Sequence, residues 1–404
     1  MKKKQDIKNK KNNLLFLREV FIMNVLLFGV ILLIALITFN TSFFNPFKKA
    51  FQDFSFANIY FTRMADTTKL DTNIILVNSG TLTREGHARL IANLSKFHPK
   101  IIGIDHLYLI NKPDDSLFIN AIKNAPTIVA ASNLVNFTDD KYHSVLRSAP
   151  HFPFRFYGFS NFPVDDPHLS TIRHTKLSYA VGNDTILSFA AKIVEQYDPD
   201  AFINAKRYFD DAQLINYTGN LSCYITLDYR NCLDSLADLA IVRNKIVLIG
   251  YLGDSLNSQP LKLEDIFYTP MNTRVAGHTY PDMYGAVIHA NIISMILQDK
   301  FIYCVPFYFE CLFAFTITFL VLLVVVHLYG KDYESYETIV VIIQYISAGL
   351  LLFIYFILFA KARVSFNMTL PIIGMISLQL GVNTYHSLIK FLKRFIHLKF
   401  LKSW

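Results

Sequence analysis

The chain has 404 residues, of which 52% are hydrophobic, and it carries a formal net charge of +8. A mean hydropathy of +0.32 excludes an ordinary soluble domain and indicates segments of about 20 apolar residues, the length that crosses a bilayer. Lys and Arg are concentrated at the two ends of the chain. The positive charge therefore indicates membrane topology and attraction to the lipid bilayer, not binding to nucleic acid.

The chain opens with a basic tail, residues 1–19, followed by a first apolar segment at residues 20–40. That segment is too long for the apolar core of a signal peptide. Phe43, Phe44 and Pro46 follow it in place of a small-residue cleavage site. It is therefore predicted to be an uncleaved membrane anchor.

Residues 41–304 form the largest segment, in which strand and helix patterns alternate. Apolar β-branched runs predict strands, and apolar residues at helical spacing predict helices. In chain order the pattern is strand 74–78, helix 84–97, strand 101–105, helix 116–125, strand 127–131, helix 185–197, strand 214–217, helix 234–241, strand 246–249 and helix 281–298. This order predicts an α/β domain with a mixed, largely parallel sheet, flanking helices and right-handed crossovers.

Three further apolar segments follow this domain, at residues 305–329, 338–360 and 364–389, and a second basic tail covers residues 390–404. Four spans place both ends of the chain on one side of the membrane. Because cytoplasmic flanks are enriched in Lys and Arg, both termini are predicted to be cytoplasmic and residues 41–304 to lie outside. Four runs of this length argue against the alternative, buried core helices of a soluble protein.

Several motifs of the outer domain are similar to those of one family. Residues 74–105 look like its opening strand, helix and Asp-ended strand, and residues 161–173 look like its loop ending in an Arg. The motifs INYTG, NKIVLIG, DIFYTP and GAVIHAN match its later elements and lie at residues 215–219, 244–250, 265–270 and 285–291. In this order the chain resembles the second CHASE-type family, CHASE2, the extracellular sensory domains associated with cyclases and histidine kinases. The resemblance implies one span before the domain and three after it, in a bacterial inner membrane with the domain periplasmic.

Members of that family usually continue after the last span into a kinase, a cyclase or a related output domain. This chain has fifteen residues after Ile389, with no Gly-rich phosphate loop and no kinase catalytic-loop pattern. We therefore expect a sensory or receptor-like protein and not an enzyme. It would bind a small ligand or a protein partner outside and signal through its membrane helices to a separate output protein. The alternative is a structural or assembly subunit of a cell-envelope complex.

Ligands of open parallel sheets bind beyond the carboxyl ends of the strands. The candidate ligand-binding residues at that edge are Asn78, Ser79, Asp105, His106, Tyr251 and Asp254. Asp105 is the strongest candidate because its carboxylate directly follows an apolar strand; the alternative is that it caps the following turn. No paired-Cys or His-Glu-x-x-His motif is present, so no metal and no cofactor is expected. His106, His278 and His289 are expected to have structural roles; the alternative is that they converge on a metal.

Two further sets of residues depend on where they lie. Cys223 and Cys232 are in the outer domain, where thiols can be oxidised. The sequence leaves open whether they form a disulfide. Gln379, Asn383 and His386 share one face of the last predicted span. Together with Gln344 of the preceding span they are predicted to make polar contacts between helices; the alternative is a docking face for an output subunit.

Overall fold

A computed structural model of the protein describes residues 2–40, 55–113, 115–139, 141–162, 170–209, 212–234, 238–254, 256, 265–272, 280–329 and 336–396. The chain divides into two compact units. The helical unit comprises Met1–Phe56 and Cys304–Trp404, and the α/β unit comprises Ala57–Tyr303. Part of the predicted C-terminal tail, residues 397–404, lies outside the described residues.

The first helix, α1 (Lys2–Asn40), belongs to the helical unit. The helices that follow through the α/β unit are α2 (Phe56–Arg63), α3 (Arg84–Ser95), α4 (Asp115–Asn124), α5 (Phe189–Tyr197), α6 (Pro199–Ala205), α7 (Tyr229–Leu233) and α8 (Gly285–Leu297). The strands of this unit are β1 (Asp71–Asn78), β2 (Ile101–Ile104), β3 (Thr127–Thr138), β4 (Lys141–Leu146), β5 (Phe156–Phe159), β6 (His174–Thr175), β7 (Ser178–Val181), β8 (Asp184–Leu187), β9 (Gln213–Leu214), β10 (Tyr224–Asp228), β11 (Ile246–Gly250), β12 (Ile266–Phe267) and β13 (Met283–Tyr284).

Six strands form a parallel sheet in the order β10-β1-β11-β2-β3-β5, and β4 adds an antiparallel arm along the second half of β3. The prediction of an α/β domain with a largely parallel sheet is therefore confirmed. The chain runs from β1 outward to β2, β3 and β5, and returns to place β10 on the other side of β1. Late in the chain, β11 inserts between β1 and β2. The strand order thus reverses in the middle of the sheet.

Both faces of the sheet are covered, as expected for strands without polar alternation. Every residue of β2 and β11 is buried. One face of the sheet packs on α3 through Leu90, Ile91 and Leu94, with Phe118 of α4 beside them. On the other face lie α5 and α8. Successive side chains of a strand point to opposite faces of the sheet. A strand that is apolar at every position can therefore pack against the helices on both faces.

Two predicted helices of the α/β unit are wrong in type or extent, and one strand of the main sheet was not predicted. The segment predicted as helix 185–197 begins as strand β8, and α5 starts only after Ser188, whose Oγ accepts a hydrogen bond from Ala191 N. In the range of the predicted helix 234–241 the described residues contain only the start of a short 3₁₀ turn, Ala240–Val242, and residues 235–237 lie outside the described residues; the single turn of α7 ends before this range. Strand β10 was not predicted, because Tyr224–Asp228 carries polar residues typical of a sheet edge.

The remaining elements of the helical unit are β14 (Tyr303–Cys304), α9 (Phe307–Tyr329), α10 (Tyr336–Ala362), β15 (Val364–Ser365), α11 (Thr369–Ile376) and α12 (Leu378–Ile396). Within the described residues, three helical segments are long and apolar enough to cross a membrane: Asn13–Thr38, Phe307–Leu328 and Tyr336–Ala362. The prediction of four continuous spans is therefore wrong in number. The fourth predicted segment, residues 364–389, is divided between β15, α11 and α12.

The division has a physical cause at Ser377. Leu380 N donates to Ser377 O at 2.9 Å, a three-residue spacing that leaves Ile376 O without its usual helical donor. Gln344 Nε2 of α10 donates to that oxygen at 3.0 Å. After the break, α12 carries Gln379, Asn383 and several basic residues, which lower its hydropathy below that of a membrane span.

Candidate functional site

A cavity of about 270 Å³ lies at the carboxyl edge of the parallel sheet. Its walls come from the residues that follow β2, β5 and β11, from Asn133 within β3, from Asp265 and Phe267 at β12, and from the first turns of α8. Its polar groups come mainly from Asp105, His106, Asn161, Tyr251, Asp265 and His289. The cavity thus lies where the strand order reverses, the place at which ligands bind in open α/β sheets.

Asp105 enters the cavity directly from the end of β2. Its backbone N–H donates to Ile249 O at 2.9 Å, which extends the ladder with β11 by one residue. Burial raises the pKa of the Asp105 carboxyl to about 7, and the charge of nearby Asp265 adds to the effect. This carboxyl is therefore half protonated near neutral pH, where an exposed aspartate is fully ionised.

Two glycines allow α8 to begin beside this carboxyl. A Cβ atom at Gly250 would fall 2.7 Å from the Cβ atom of Ala286, closer than side chains pack. A Cβ atom at Gly285 would fall 3.2 Å from the Phe267 ring and 3.9 Å from Asp105 Oδ2. Glycine at both positions thus brings the first turn of α8 against the end of β11 and forms one wall of the cavity.

His289 lies one turn further along α8 and is only 3% exposed. Its ring stacks on Phe162 with centroids 4.9 Å apart, and the edge of Phe189 packs against it at 5.2 Å. Burial lowers the pKa of His289 to about 4, while a hydrogen bond to the Ser160 backbone opposes that shift. The Nδ1 atom is fully buried and has no hydrogen-bond partner among the described atoms.

His106 connects the cavity to the end of β1. Its Nε2 atom lies 2.8 Å from Ser79 Oγ, so these two predicted residues form a hydrogen bond. The ring also packs edge-on against His87 at a centroid distance of 5.0 Å. Burial lowers the pKa of His106 to about 3 and that of His87 to about 4. Both rings are therefore neutral at physiological pH.

A comparison with known families identifies the domain around this cavity. The family model described as the CHASE2 domain matches residues 30–326, more than half of the chain. The chain belongs to the CHASE2 family. The resemblance predicted from the sequence motifs is thereby confirmed, and the α/β unit is a domain of an extracellular sensory family. The three long apolar helices fit a protein anchored in a membrane.

No match to a curated protein or to a solved structure was found.

The six predicted site residues have different roles in the CHASE2 domain. Asp105, His106 and Tyr251 line the cavity, and Ser79 contacts it through His106. The side chain of Asn78 is used within the protein, because Oδ1 accepts from Leu252 N and Gly80 N while Nδ2 donates to Gly253 O. Asp254 accepts a hydrogen bond of 3.3 Å from the Tyr251 hydroxyl.

The sequence missed two groups of the cavity, His289 and Asp265. His289 was assigned a structural role, and its burial and its stacking on Phe162 fit that role. The signal available in the sequence was the position of both residues in the motifs DIFYTP and GAVIHAN. Among the described residues, no group of three or more His, Cys, Asp or Glu side chains is placed to hold a metal ion.

Cys223 and Cys232, for which the sequence did not decide between a disulfide and free thiols, are not bridged. Cys223 and Cys232 are both buried free thiols. They lie on either side of the five-residue strand β10, which spans about 16 Å, whereas bridged cysteines have Cα atoms no more than about 7 Å apart. The Cys223 thiol donates instead to Thr67 O at 3.1 Å.

The polar residues of the helical unit make local contacts. Gln344 joins α10 to the end of α11, as described above. Gln379 Nε2 donates to Asn383 Oδ1 at 3.1 Å within α12, and the Asn383 side chain is exposed. His386, one turn further on, is half-buried.

Proposed function

We propose that this chain is a membrane-anchored extracytoplasmic receptor. Its CHASE2 domain binds a small ligand in the cavity beside Asp105 and signals through the membrane helices to a separate output protein. The observation that carries the proposal is the cavity itself, which lies at the carboxyl edge of the parallel sheet with Asp105 in its wall. In open α/β sheets, ligands bind at this edge, near the point where the strand order reverses.

The route from cavity to membrane is supported by the position of α8 in the chain. Its first turns contribute Gly285, Ala286 and His289 to the cavity wall. Its last residue, Leu297, is followed after nine residues by the first residue of α9, Phe307. Helix α8 is buried along nearly its whole length, so a displacement of its first turn would be transmitted along the helix. A ligand that binds two positions of α8 with different affinity would shift their populations.

The proposed topology has four crossings, with α11 and α12 together forming the fourth. Helix α11 packs on α9 and α10, and α12 packs on α1, so the two short helices continue the bundle in sequence. The basic residues before α1 and along the second half of α12 favour cytoplasmic termini. The CHASE2 domain is then periplasmic in a bacterial inner membrane. The receptor has no catalytic role of its own in this proposal.

The test is in-cell photo-crosslinking of the full chain, with the photoreactive residue at Asn383. This position is exposed on α12, so a probe there reports on neighbouring proteins without disturbing packing. Capture of a cytoplasmic kinase or cyclase supports signalling to a separate output protein. Recovery of envelope proteins alone, at this position and at an exposed position of the CHASE2 domain such as Phe137, would favour an assembly subunit instead.

A further inference from the structure

His106 presents a hydrogen-bond donor to the cavity, which it lines. Burial keeps its ring neutral by lowering its pKa to about 3, so only one of the two ring nitrogens carries a hydrogen. The hydroxyl of Ser79 is fully buried and lies 2.8 Å from His106 Nε2; among the described residues it has no other acceptor. Because a buried hydroxyl needs an acceptor for its hydrogen, Ser79 donates to Nε2. The ring hydrogen is therefore on Nδ1, which is an open donor.

Asp105, the residue before His106, presents an acceptor to the same cavity. No hydrogen bond joins its carboxyl group to another described residue, and, in contrast to Nδ1 of His289, its oxygens are not fully buried. The other carboxyl group of the lining, Asp265, already interacts with another group of the protein and is therefore not among the open groups. Two consecutive residues thus offer a ligand one acceptor and one donor.

A second donor and acceptor come from Asn133 in β3 and Ser160 after β5. Ser160 Oγ donates to Asn133 Oδ1 at 3.1 Å, so the Ser160 hydroxyl keeps its lone pairs as acceptors. The Nδ2 group of Asn133 has no acceptor among the described residues and is an open donor. The Tyr251 hydroxyl likewise donates to Asp254 at 3.3 Å and keeps its lone pairs. The described lining thus combines open donors with open acceptors, and it contains no Lys or Arg.

We propose that the cavity binds a neutral sugar or cyclic polyol of monosaccharide size, whose hydroxyl groups pair with the Asp105 carboxyl, His106 Nδ1 and Asn133 Nδ2. Each hydroxyl both donates and accepts, which matches a lining that offers both kinds of group. The volume of about 270 Å³ is just below the roughly 300–1,000 Å³ of pockets for drug-sized ligands. Phe162 and Phe267, edge-on at 5.3 Å, supply an apolar wall for the C–H groups of the ring. This inference rests on the proposed function and names the ligand class of that same cavity.

Ligands with a single charged group match this lining less well. A carboxylate or a phosphate group would lie near Asp105 in a cavity whose described lining has no Lys or Arg to offset the repulsion. An ammonium group has donors only, so it pairs with Asp105 but leaves the N–H groups of His106 and Asn133 without acceptors. Because donors left unpaired on binding weaken a complex, a ligand made of hydroxyl groups is favoured over both.

The experiment is calorimetric titration of the full chain in lipid nanodiscs at neutral pH. The neutral probes are D-glucose, D-galactose, D-mannose, D-ribose and myo-inositol. Tetrahydropyran is the control for a sugar ring without hydroxyl groups, and D-glucosamine and D-glucuronate are the positively and negatively charged analogues. At least one neutral probe is expected to bind at millimolar concentration or below. Tetrahydropyran is expected not to bind, and neither charged analogue is expected to bind more tightly than the best neutral probe.

Two variants test the acceptor and the donor separately. Asp105→Leu removes both carboxyl oxygens at similar side-chain size and is expected to weaken binding of the best neutral probe at least tenfold. Asn133→Ala removes the Nδ2 donor and is expected to weaken it at least threefold. Asn73→Ala is the matched control, because Asn73 is an exposed strand asparagine whose side chain contacts Lys245 outside the cavity; its binding should equal that of the parent. Thermal unfolding checks that each variant is folded, and Asn133→Ala decides if Asp105→Leu is not.

The sugar assignment is overturned if none of the neutral probes binds, if tetrahydropyran binds as tightly as the best of them, or if a charged analogue binds more tightly. It is also overturned if the folded cavity variants bind the best neutral probe as the parent does. Those outcomes leave the proposed receptor function standing when photo-crosslinking at Asn383 still captures a cytoplasmic output protein. Conversely, sugar binding without any captured output protein supports the ligand class and removes the signalling route.

Discussion

Gln344 Nε2 of α10 donates a 3.0 Å hydrogen bond to the carbonyl oxygen of Ile376, the last residue of α11. This bond satisfies an acceptor that the break at Ser377 leaves without a helical donor. Interhelical hydrogen bonds between side chains and backbone are a common way to tolerate broken helices within a bundle. The relationship between these two residues thus accounts for a helix break inside an apolar segment.

Replacing Gln344 with Leu is expected to destabilise the helical unit. The substitution leaves Ile376 O unpaired, and interhelical hydrogen bonds of this kind contribute about 0.6–2 kcal/mol. Unfolding of the full chain in mixed detergent micelles, followed by circular dichroism, measures the loss. Asn383→Leu is the matched control, because Asn383 is exposed and its bond to Gln379 stays within one helix; equal losses in both variants would contradict the assigned role of Gln344.

Replacing Asp105 with Asn is expected to stabilise the CHASE2 domain above neutral pH. The folded-state pKa of about 7 lies above the unfolded value, so the stability from the protonated carboxyl is complete below pH 4 and is lost as pH rises to about 7. The loss is at most about 4 kcal/mol, and an amide does not suffer it. Thermal unfolding at pH 5 and pH 8 should show the gap between variant and parent widening with pH. A constant gap would contradict the raised pKa.

Replacing Gly250 with Ala is expected to destabilise the CHASE2 domain and to narrow the cavity. The new methyl group meets Ala286 Cβ at 2.7 Å, so α8 must move away from β11. Overpacking of this kind costs about 1–3 kcal/mol. Gly349→Ala in α10 is the control, since a Cβ atom there meets nothing within 4 Å and Ala favours helix. Thermal unfolding of both variants is the measurement: Gly250→Ala should lower the unfolding temperature, and Gly349→Ala should not.

Thiol labelling is expected to distinguish the exposed Cys304 from the buried Cys223 and Cys232 and to test the topology. Cys304 is exposed, whereas Cys223 and Cys232 are buried. A membrane-impermeant maleimide should label Cys304 in intact spheroplasts, and Cys304→Ser should remove most of that label. Denaturation without a reductant should then expose Cys223 and Cys232 as reactive thiols. Labelling of Cys304 only in inverted vesicles would reverse the proposed orientation.

The sequence predicts the strands whose apolar runs are continuous. A strand that is buried on both faces of the sheet needs apolar residues at every position, so its sequence is easily recognised. Residues 74–78, 101–105 and 246–249 were assigned as strands on this basis, and they are neighbours at the centre of the sheet. The position of β11 between the other two was not predictable, since strand order depends on long-range pairing. Residues 185–188 were also assigned wrongly to a helix. A short strand directly before a helix has apolar residues like those of the helix, so the sequence does not mark where one ends and the other begins.

The candidate site was predictable only in part, for a similar reason. A carboxylate directly after a buried strand must emerge at the carboxyl edge, so Asp105 could be placed from the sequence alone. Whether a buried histidine keeps an open nitrogen depends on what packs around it, and His289 shows this only in three dimensions. The helix break was hidden as well, because hydropathy averaged over 20 residues does not register a single serine such as Ser377.

The insertion of β11 between β1 and β2 has a consequence for biosynthesis. The first two strands of the sheet are made early, but the strand that joins them is residues 246–250. The native pairing of β1 and β2 through β11 therefore forms only after about 140 further residues have been made, which gives a high contact order and slow folding. Truncation of the chain before Ile246 would remove the strand that joins them.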